Sequence, residues 1–299
     1  MSAAKMKVAW LGLGKMGRPL AVRLIEAGYQ VTGFDPALED RGEAELQGIG
    51  LTESAARAAA GEKLIFTMVT NDRALEEATI GPKGALAGAD HGSVLIDLGT
   101  HSVATSQKVA RQCQDKGVDF LRAPVSGTTY YAAKGLLTVW VSGPGEVYDR
   151  CRETLSILGR AVSYVGPGEE ARYLKLLHNA ILGVLALTLA EAVAFGRKGG
   201  LNWAQMIDLL AESVVGAPVY GYKAEALKNR SFELTFTAEQ MIKDLDLALA
   251  EAASLKAPLP LAATVRQFME IMPATGRGQE DFFAVIKVLE ELGGLREEP

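Results

Sequence analysis

Cysteine is nearly missing: the 299-residue chain holds only Cys113 and Cys151, with no CxxC spacing. That excludes a disulfide framework and fits a cytoplasmic protein in a reducing compartment; no metal site is expected. Basic charge is also short. Thirty-one Lys and Arg face 36 Asp and Glu, a formal net charge of -5, and no basic run occurs. Nucleic acid is therefore not expected as a partner. The opening MSAAKMKVAWLGLG lacks an apolar segment followed by a cleavage site, so no secretory signal is expected. Internal repeats and low-complexity tracts are absent. The stretch between Lys175 and Glu191 has no charged residue. It carries His178, Asn179 and Thr188, however, and falls short of the roughly 20 apolar residues a membrane span needs. A buried core helix is expected there, not a membrane partner.

Nearly half of the chain, 48%, is hydrophobic and 22% is charged, which places it with folded proteins. Its length suits two domains. KVAWLGL, YQVTGF, KLIFTMV, SVLIDLG, VDFLRAPV, LLTVWVSG and AVSYVG read as strands, mostly apolar as buried parallel strands are. RPLAVRLIEAG, TESAARAAAG, VATSQKVARQCQDKG and EVYDRCRETLSILG read as helices between them. This alternation predicts a doubly wound α/β, Rossmann-type domain over 1–165. From 170 onward only helical periodicity remains, at 170–198, 203–214, 237–256, 259–272 and 280–291. Thr237-Ala238-Glu239-Gln240 forms a capping box. An all-α domain over 166–299 follows, opening on a long helix.

Gly12, Gly14 and Gly17, with Leu13 and Met16 among them, lie between the first strand and the first helix. Such a loop turns tightly, lets the backbone approach a pyrophosphate and presents helix N–H groups to its charge. GxGxxG alone is a weak signal, but here it has the required strand–helix context, and Asp35 closes the second strand about 20 residues on. A carboxylate there accepts from ribose hydroxyls and repels a 2′-phosphate; Glu39 and Asp40 add negative charge. NAD is the expected cofactor, ahead of NADP. Further on, Pro124-Val125-Ser126-Gly127 ends a strand in a small-residue turn. Its N–H groups suit an anion such as a carboxylate, or it is an ordinary turn before a hairpin.

GLGKMG, APVSG followed by AAKGLL, KLLHN on the long helix, IKDLDLALA and the closing DFFAVIKVLEE together resemble the β-hydroxyacid dehydrogenase family. The resemblance runs over essentially the whole chain. It implies a C-terminal domain like that of the related 6-phosphogluconate dehydrogenase. It also implies Lys175 as the catalytic lysine, with Asn179 hydrogen-bonding the substrate beside it. Ser126, Gly127 and Thr128 would hold the substrate carboxylate, and Thr100 would lie near the nicotinamide. Phe236, Lys243 and Asp244 would close the site, and Met68-Val69-Thr70 would follow the cofactor. Helical domains of the family pair, so a homodimer or homotetramer is expected.

The sequence also departs from the family pattern. Thr128 stands for a glycine, Arg122 for an aspartate, Gly99 for a serine and Thr70 for a proline. Glu169-Glu170-Ala171 stands for Gly-Ala-Gly. His178 stands for an asparagine; lysine followed by His-Asn is closer to 6-phosphogluconate dehydrogenase. These changes leave the reaction type intact and bear on the substrate.

On a helix, Lys175, His178 and Asn179 at i, i+3 and i+4 share a face. Oxidising an alcohol releases a hydride and a proton, so a base must be positioned beside the hydride acceptor. A free lysine, with a pKa near ~10.4, is protonated at neutral pH. Desolvation and a positive nicotinamide ring should lower that value. The expected reaction is NAD-dependent interconversion of a 3-hydroxy acid, 3-hydroxyisobutyrate-like, with its semialdehyde or keto acid. The alternatives are an NADPH-dependent semialdehyde or glyoxylate reductase, against which Asp35 argues, and a short 6-phosphogluconate dehydrogenase-like enzyme. A catalytically silent relative used for binding or oligomerisation would be expected to lack the lysine. Tyr130, Tyr131 and Trp140 either line a pocket for a bulkier substrate group or are packing.

Overall fold

A computed structural model of the chain describes residues 6–232 and 235–295. The chain divides into two compact units, Met1–Lys175 and Leu176–Pro299.

The first unit is built on β1 (Lys7–Leu11), β2 (Gln30–Phe34), β3 (Gly50–Leu51), β4 (Leu64–Thr67), β5 (Val94–Asp97), β6 (Asp119–Arg122), β7 (Val125–Ser126), β8 (Leu137–Ser142) and β9 (Gly159–Gly166). Their order is β3-β2-β1-β4-β5-β6-β8-β7, with β9 on β8. Pairing from β3 to β6 is parallel. β8 runs antiparallel to β6 and β7. The order of the first six strands is that of a dinucleotide-binding sheet, in which the strand order, not the strand direction, switches between β1 and β4.

The continuous apolar strands follow from burial on both faces. Val8, Trp10, Leu64, Phe66, Val94 and Ile96 pack into one hydrophobic cluster, while Ala9, Leu11, Ile65 and Leu95 pack into another. Alternate residues of a strand point to opposite faces, so helices covering both sides require apolar side chains throughout. Trp10 and Phe66 stack with centroids 5.2 Å apart.

Seven strands are legible in the sequence; the described residues hold nine. VDFLRAPV is two strands, because Ala123-Pro124 breaks the run and turns Val125–Ser126 onto β8. Gly50–Leu51 is too short to show an alternation.

The second unit is helical, packed around one apolar cluster. It begins within the helix Glu170–Lys198 and continues with Trp203–Glu212, Pro218–Lys228, Ala238–Leu255, Pro260–Ala274 and Val285–Leu292. Pro218–Lys228 is absent from the sequence reading. It holds Gly221, and Pro218 looks like a breaker, yet a proline is tolerated in the first turn, where it sits here. The capping box at Thr237 and Gln240 forms as expected. Ala186, Leu187, Leu189, Ala190 and Val193 place the uncharged part of the long helix in this core. The first turns of that helix instead belong to the first unit, because hydrogen bonds tie them there: Ala171 N donates to Ser142 Oγ at 3.2 Å and Lys175 Nζ to Val125 O at 2.8 Å.

Candidate active site

The carboxyl ends of β1, β2, β4 and β5 carry the expected cofactor residues of the first unit, while Lys243, also expected at the cofactor, lies on the helix Ala238–Leu255 of the second. Gly12 follows β1 with φ +93°, and a Cβ there would collide with the Met68 carbonyl, so only glycine lets the two loops meet. At Gly17 a Cβ would strike the Gly12 carbonyl. Gly14 differs: nothing lies within 4 Å of where its Cβ would stand. The loop is thus closed on its protein side and open at the glycine that a pyrophosphate must approach. Trp10 Nε1 donates to Gly12 O at 2.9 Å, fixing the turn from beneath.

Asp35 directly follows β2. Its Oδ2 accepts from Leu13 N at 2.7 Å and its Oδ1 from Ala37 N at 2.8 Å. Two backbone donors orient the carboxylate, which keeps further lone pairs for hydroxyls. These residues fit a dinucleotide. Met68 and Val69 are half-buried after β4, Thr70 is exposed, and Thr100 is half-buried after β5.

The turn after β7 holds half-buried Ser126 and Thr128 with Gly127 between them. Gly127 has φ +138°, where a side chain would strike Leu137, so the turn depends on glycine. Thr128 precedes the short helix Thr129–Ala133, without a capping bond from its hydroxyl. Lys175 is half-buried, and its Nζ donates to Val125 O, one residue before this turn. The amine and the turn are therefore assembled within one unit.

In the second unit Asn179 and Asp244 are each 2% exposed. Asn179 Nδ2 donates to Asp244 Oδ2, and Lys243 Nζ lies 2.8 Å from Asp244 Oδ1 as an ion pair. Three residues expected at the site, 65 positions apart in sequence, are thereby brought together. His178 has a part in this. Because the Asn179 amide gives its N–H to a carboxylate, its Oδ1 faces His178 Nδ1 at 2.9 Å and accepts from it. Asp244 and His178 together fix which way the asparagine amide points. Phe236 precedes the helix Ala238–Leu255 and packs edge-on against Phe282, with centroids 5.8 Å apart.

A buried polar group beside the cofactor loops is absent from the sequence reading. Asp97, the last residue of β5, is fully buried with His101 and Arg172. Its Oδ1 accepts from Thr67 Oγ1 at 2.7 Å and Gly99 N at 3.1 Å. Its Oδ2 accepts from Arg172 Nη2 and from His101 Nδ1, the latter at 2.9 Å. Burial would raise this carboxyl; His101 and Arg172, with hydrogen bonds from His101 and Thr67, outweigh burial and hold it well below the carboxylate range. The available signal was an acid ending the apolar strand VLID, and an arginine one turn ahead of Lys175.

Residues 7–166 match the family model for the NAD-binding domain of 6-phosphogluconate dehydrogenase. Residues 170–289 match the one described as NAD-binding of NADP-dependent 3-hydroxyisobutyrate dehydrogenase. The chain belongs to the β-hydroxyacid dehydrogenase family. It is similar to 2-(hydroxymethyl)glutarate dehydrogenase of Eubacterium barkeri, 33% identical over 97% of both chains. It is also similar to 3-hydroxyisobutyrate dehydrogenase of Pseudomonas aeruginosa, 32% identical over 94% of this chain and 97% of that one. The solved 3-hydroxyisobutyrate dehydrogenase of Mycobacterium tuberculosis, with L-serine, superposes with a TM-score of 0.86. Identity to it is 28%, over 96% of this chain and 99% of that chain. As a member of the family, the chain is an NAD(P)-binding oxidoreductase of the CH–OH class.

Proposed function

We propose that the protein interconverts a 3-hydroxy acid, 3-hydroxyisobutyrate-like, with its semialdehyde or keto acid, using NAD. The observation that carries this reading is the Lys175 amine at 2.8 Å from Val125 O, directly before the Ser126–Thr128 turn. A substrate whose carboxylate is held by that turn presents a hydroxyl a few bonds away to the lysine. When bound, the nicotinamide supplies the hydride acceptor. Lys175 takes the hydroxyl proton in oxidation and returns one to the carbonyl oxygen in reduction. Asn179, with its amide oriented by His178 and Asp244, hydrogen-bonds the substrate. The solved relative bound to L-serine, itself a 3-hydroxy acid, supports this substrate class.

NAD over NADP is supported by the Asp35 carboxylate, aimed by Leu13 N and Ala37 N, with Glu39 and Asp40 close behind. The deciding experiment follows NADH or NADPH formation across 3-hydroxyisobutyrate, glycerate, serine, 4-hydroxybutyrate and larger branched or sulfonated analogues. The expected result is turnover with NAD on a 3-hydroxy acid; no turnover across the panel would end the proposal. We also infer a homodimer or homotetramer, supported by Leu177, Ile181 and Phe195, which the long helix leaves 49%, 54% and 82% exposed. A monomer by light scattering would refute it.

A further inference from the structure

Gly99, Arg122 and Glu169 lie far apart in sequence but belong to one buried cluster. Arg122 Nη2 donates to Glu169 Oε1. Its Nε donates to Ser106 Oγ at 3.2 Å, and Arg172 Nε reaches the same hydroxyl at 3.4 Å. Arg172 then donates through Nη1 to Gly99 O at 2.7 Å and through Nη2 to Asp97. Every side chain in the series from Glu169 through Arg122, Ser106, Arg172 and Asp97 to His101 is at most 9% exposed.

Gly99 has a reason of its own: a Cβ there would run into the His101 ring. A side chain at 99 would thus push His101 away from Asp97. Arg122 and Glu169 each bury a charge, which is costly alone and is offset where the two pair.

The cluster joins three pieces of the site. Through Thr67 and Gly99 N, Asp97 holds the ends of β4 and β5, from which the cofactor loops emerge. Through Arg172 it holds the first turn of the long helix. Lys175 stands three residues after Arg172, on the same helical face. Asp97 and both arginines are hydrogen-bonded within this network, while His101 Nε2 and Glu169 Oε2 have no hydrogen-bond partner among the described residues. A buried polar network of this kind fixes geometry more than it adds stability. We propose that Arg172, gripped by Asp97, Ser106 and Gly99, is a positioning residue that fixes the helix turn from which Lys175 reaches Val125 O, with the Arg122–Glu169 pair as its buttress. The proposal rests on reading Lys175 as the acid–base group.

The test uses the full chain as wild type, Arg172→Met and Arg172→Lys. Each is pulse-acylated with acetic anhydride across pH, and every lysine is followed by peptide mass spectrometry. In Arg172→Met, Lys175 should acylate about tenfold faster, the scale of one charge-assisted hydrogen bond lost, with the other lysines within about twofold. Where turnover is measured, kcat should fall about 10- to 100-fold, as a misplaced acid–base group implies, while the KM for NAD holds within about threefold. Arg172→Lys, which keeps the charge, should recover most of both. Lys175 acylation within about twofold of wild type, or equal acceleration of all lysines, overturns the proposal. Should Arg172→Met fail to fold, Gly99→Ala, which displaces His101, carries the same readouts. Wild type inactive on every substrate would defeat the proposed function, whereas the acylation pattern would still decide this one.

Discussion

Within the helix Glu170–Lys198, residues 170–179 bury polar side chains alongside Ala171 and Leu176, whereas the side chains buried within 180–193 are apolar. The first part hides Arg172 and Asn179, at 1% and 2% exposure, and holds Lys175 by a hydrogen bond. The second hides Ala186, Leu187, Leu189, Ala190 and Val193 in an apolar cluster. Apolar burial is non-directional and tolerates repacking, so it stabilises without demanding one arrangement. Buried polar groups cost free energy unless each partner is in place. The head of the helix therefore demands one arrangement of its polar partners, and the tail contributes apolar burial.

Substitutions at the two ends should separate these roles. Lys175→Met removes the proposed acid–base group while keeping the aliphatic stem. It should lower kcat about a thousandfold, the range of general acid–base catalysis, and leave NADH binding by fluorescence unchanged. A kcat near wild type would break the assignment. Leu189→Ala, in the tail, should do the reverse. Removing a buried leucine destabilises by about 2–5 kcal/mol, seen as a lower urea midpoint for the second unit, with kcat per folded molecule within about twofold. A large kcat loss without destabilisation would show that the tail also shapes the site.

The same contrast explains what was legible in the sequence. The glycine loop, Asp35 and the apolar strands are local patterns whose meaning depends on neighbours in the chain, and each lies where it was expected. The Asp97–Arg172 and Arg122–Glu169 contacts span 75 and 47 residues. Nothing in a linear pattern pairs them; Arg122 and Glu169 stood out only singly, as departures. Asp244 was expected at the site, but its bond to Asn179 depends on how two helices of the second unit pack. The helix Pro218–Lys228 was missed for a local reason, since its first-turn proline and internal glycine imitate a loop.

A smaller effect sharpens the comparison of the two units. Both cysteines are free and buried, and both lie in the first unit. Burial pushes the Cys113 thiol up to about 12, with Arg122 opposing and Asp119 adding to it. Burial likewise raises Cys151 to about 11, against Arg150 and with Asp119. An unfolded thiol ionises near ~8.5, so above that pH the native chain binds more protons than the unfolded one. The stability tied to these raised values is fully present below about pH 8.5 and is lost as pH rises towards the folded values. Two outcomes follow. At pH 8 a disulfide reagent should leave both thiols unmodified in native protein and react with both in urea, because the thiolate is the nucleophile and both thiols are buried. Between about pH 8.5 and 10.5 the midpoint of the first unit should fall further than that of the second, which has no thiol, and Cys113→Ala should reduce the difference. Equal slopes for the two units would mean that other groups govern the alkaline limb.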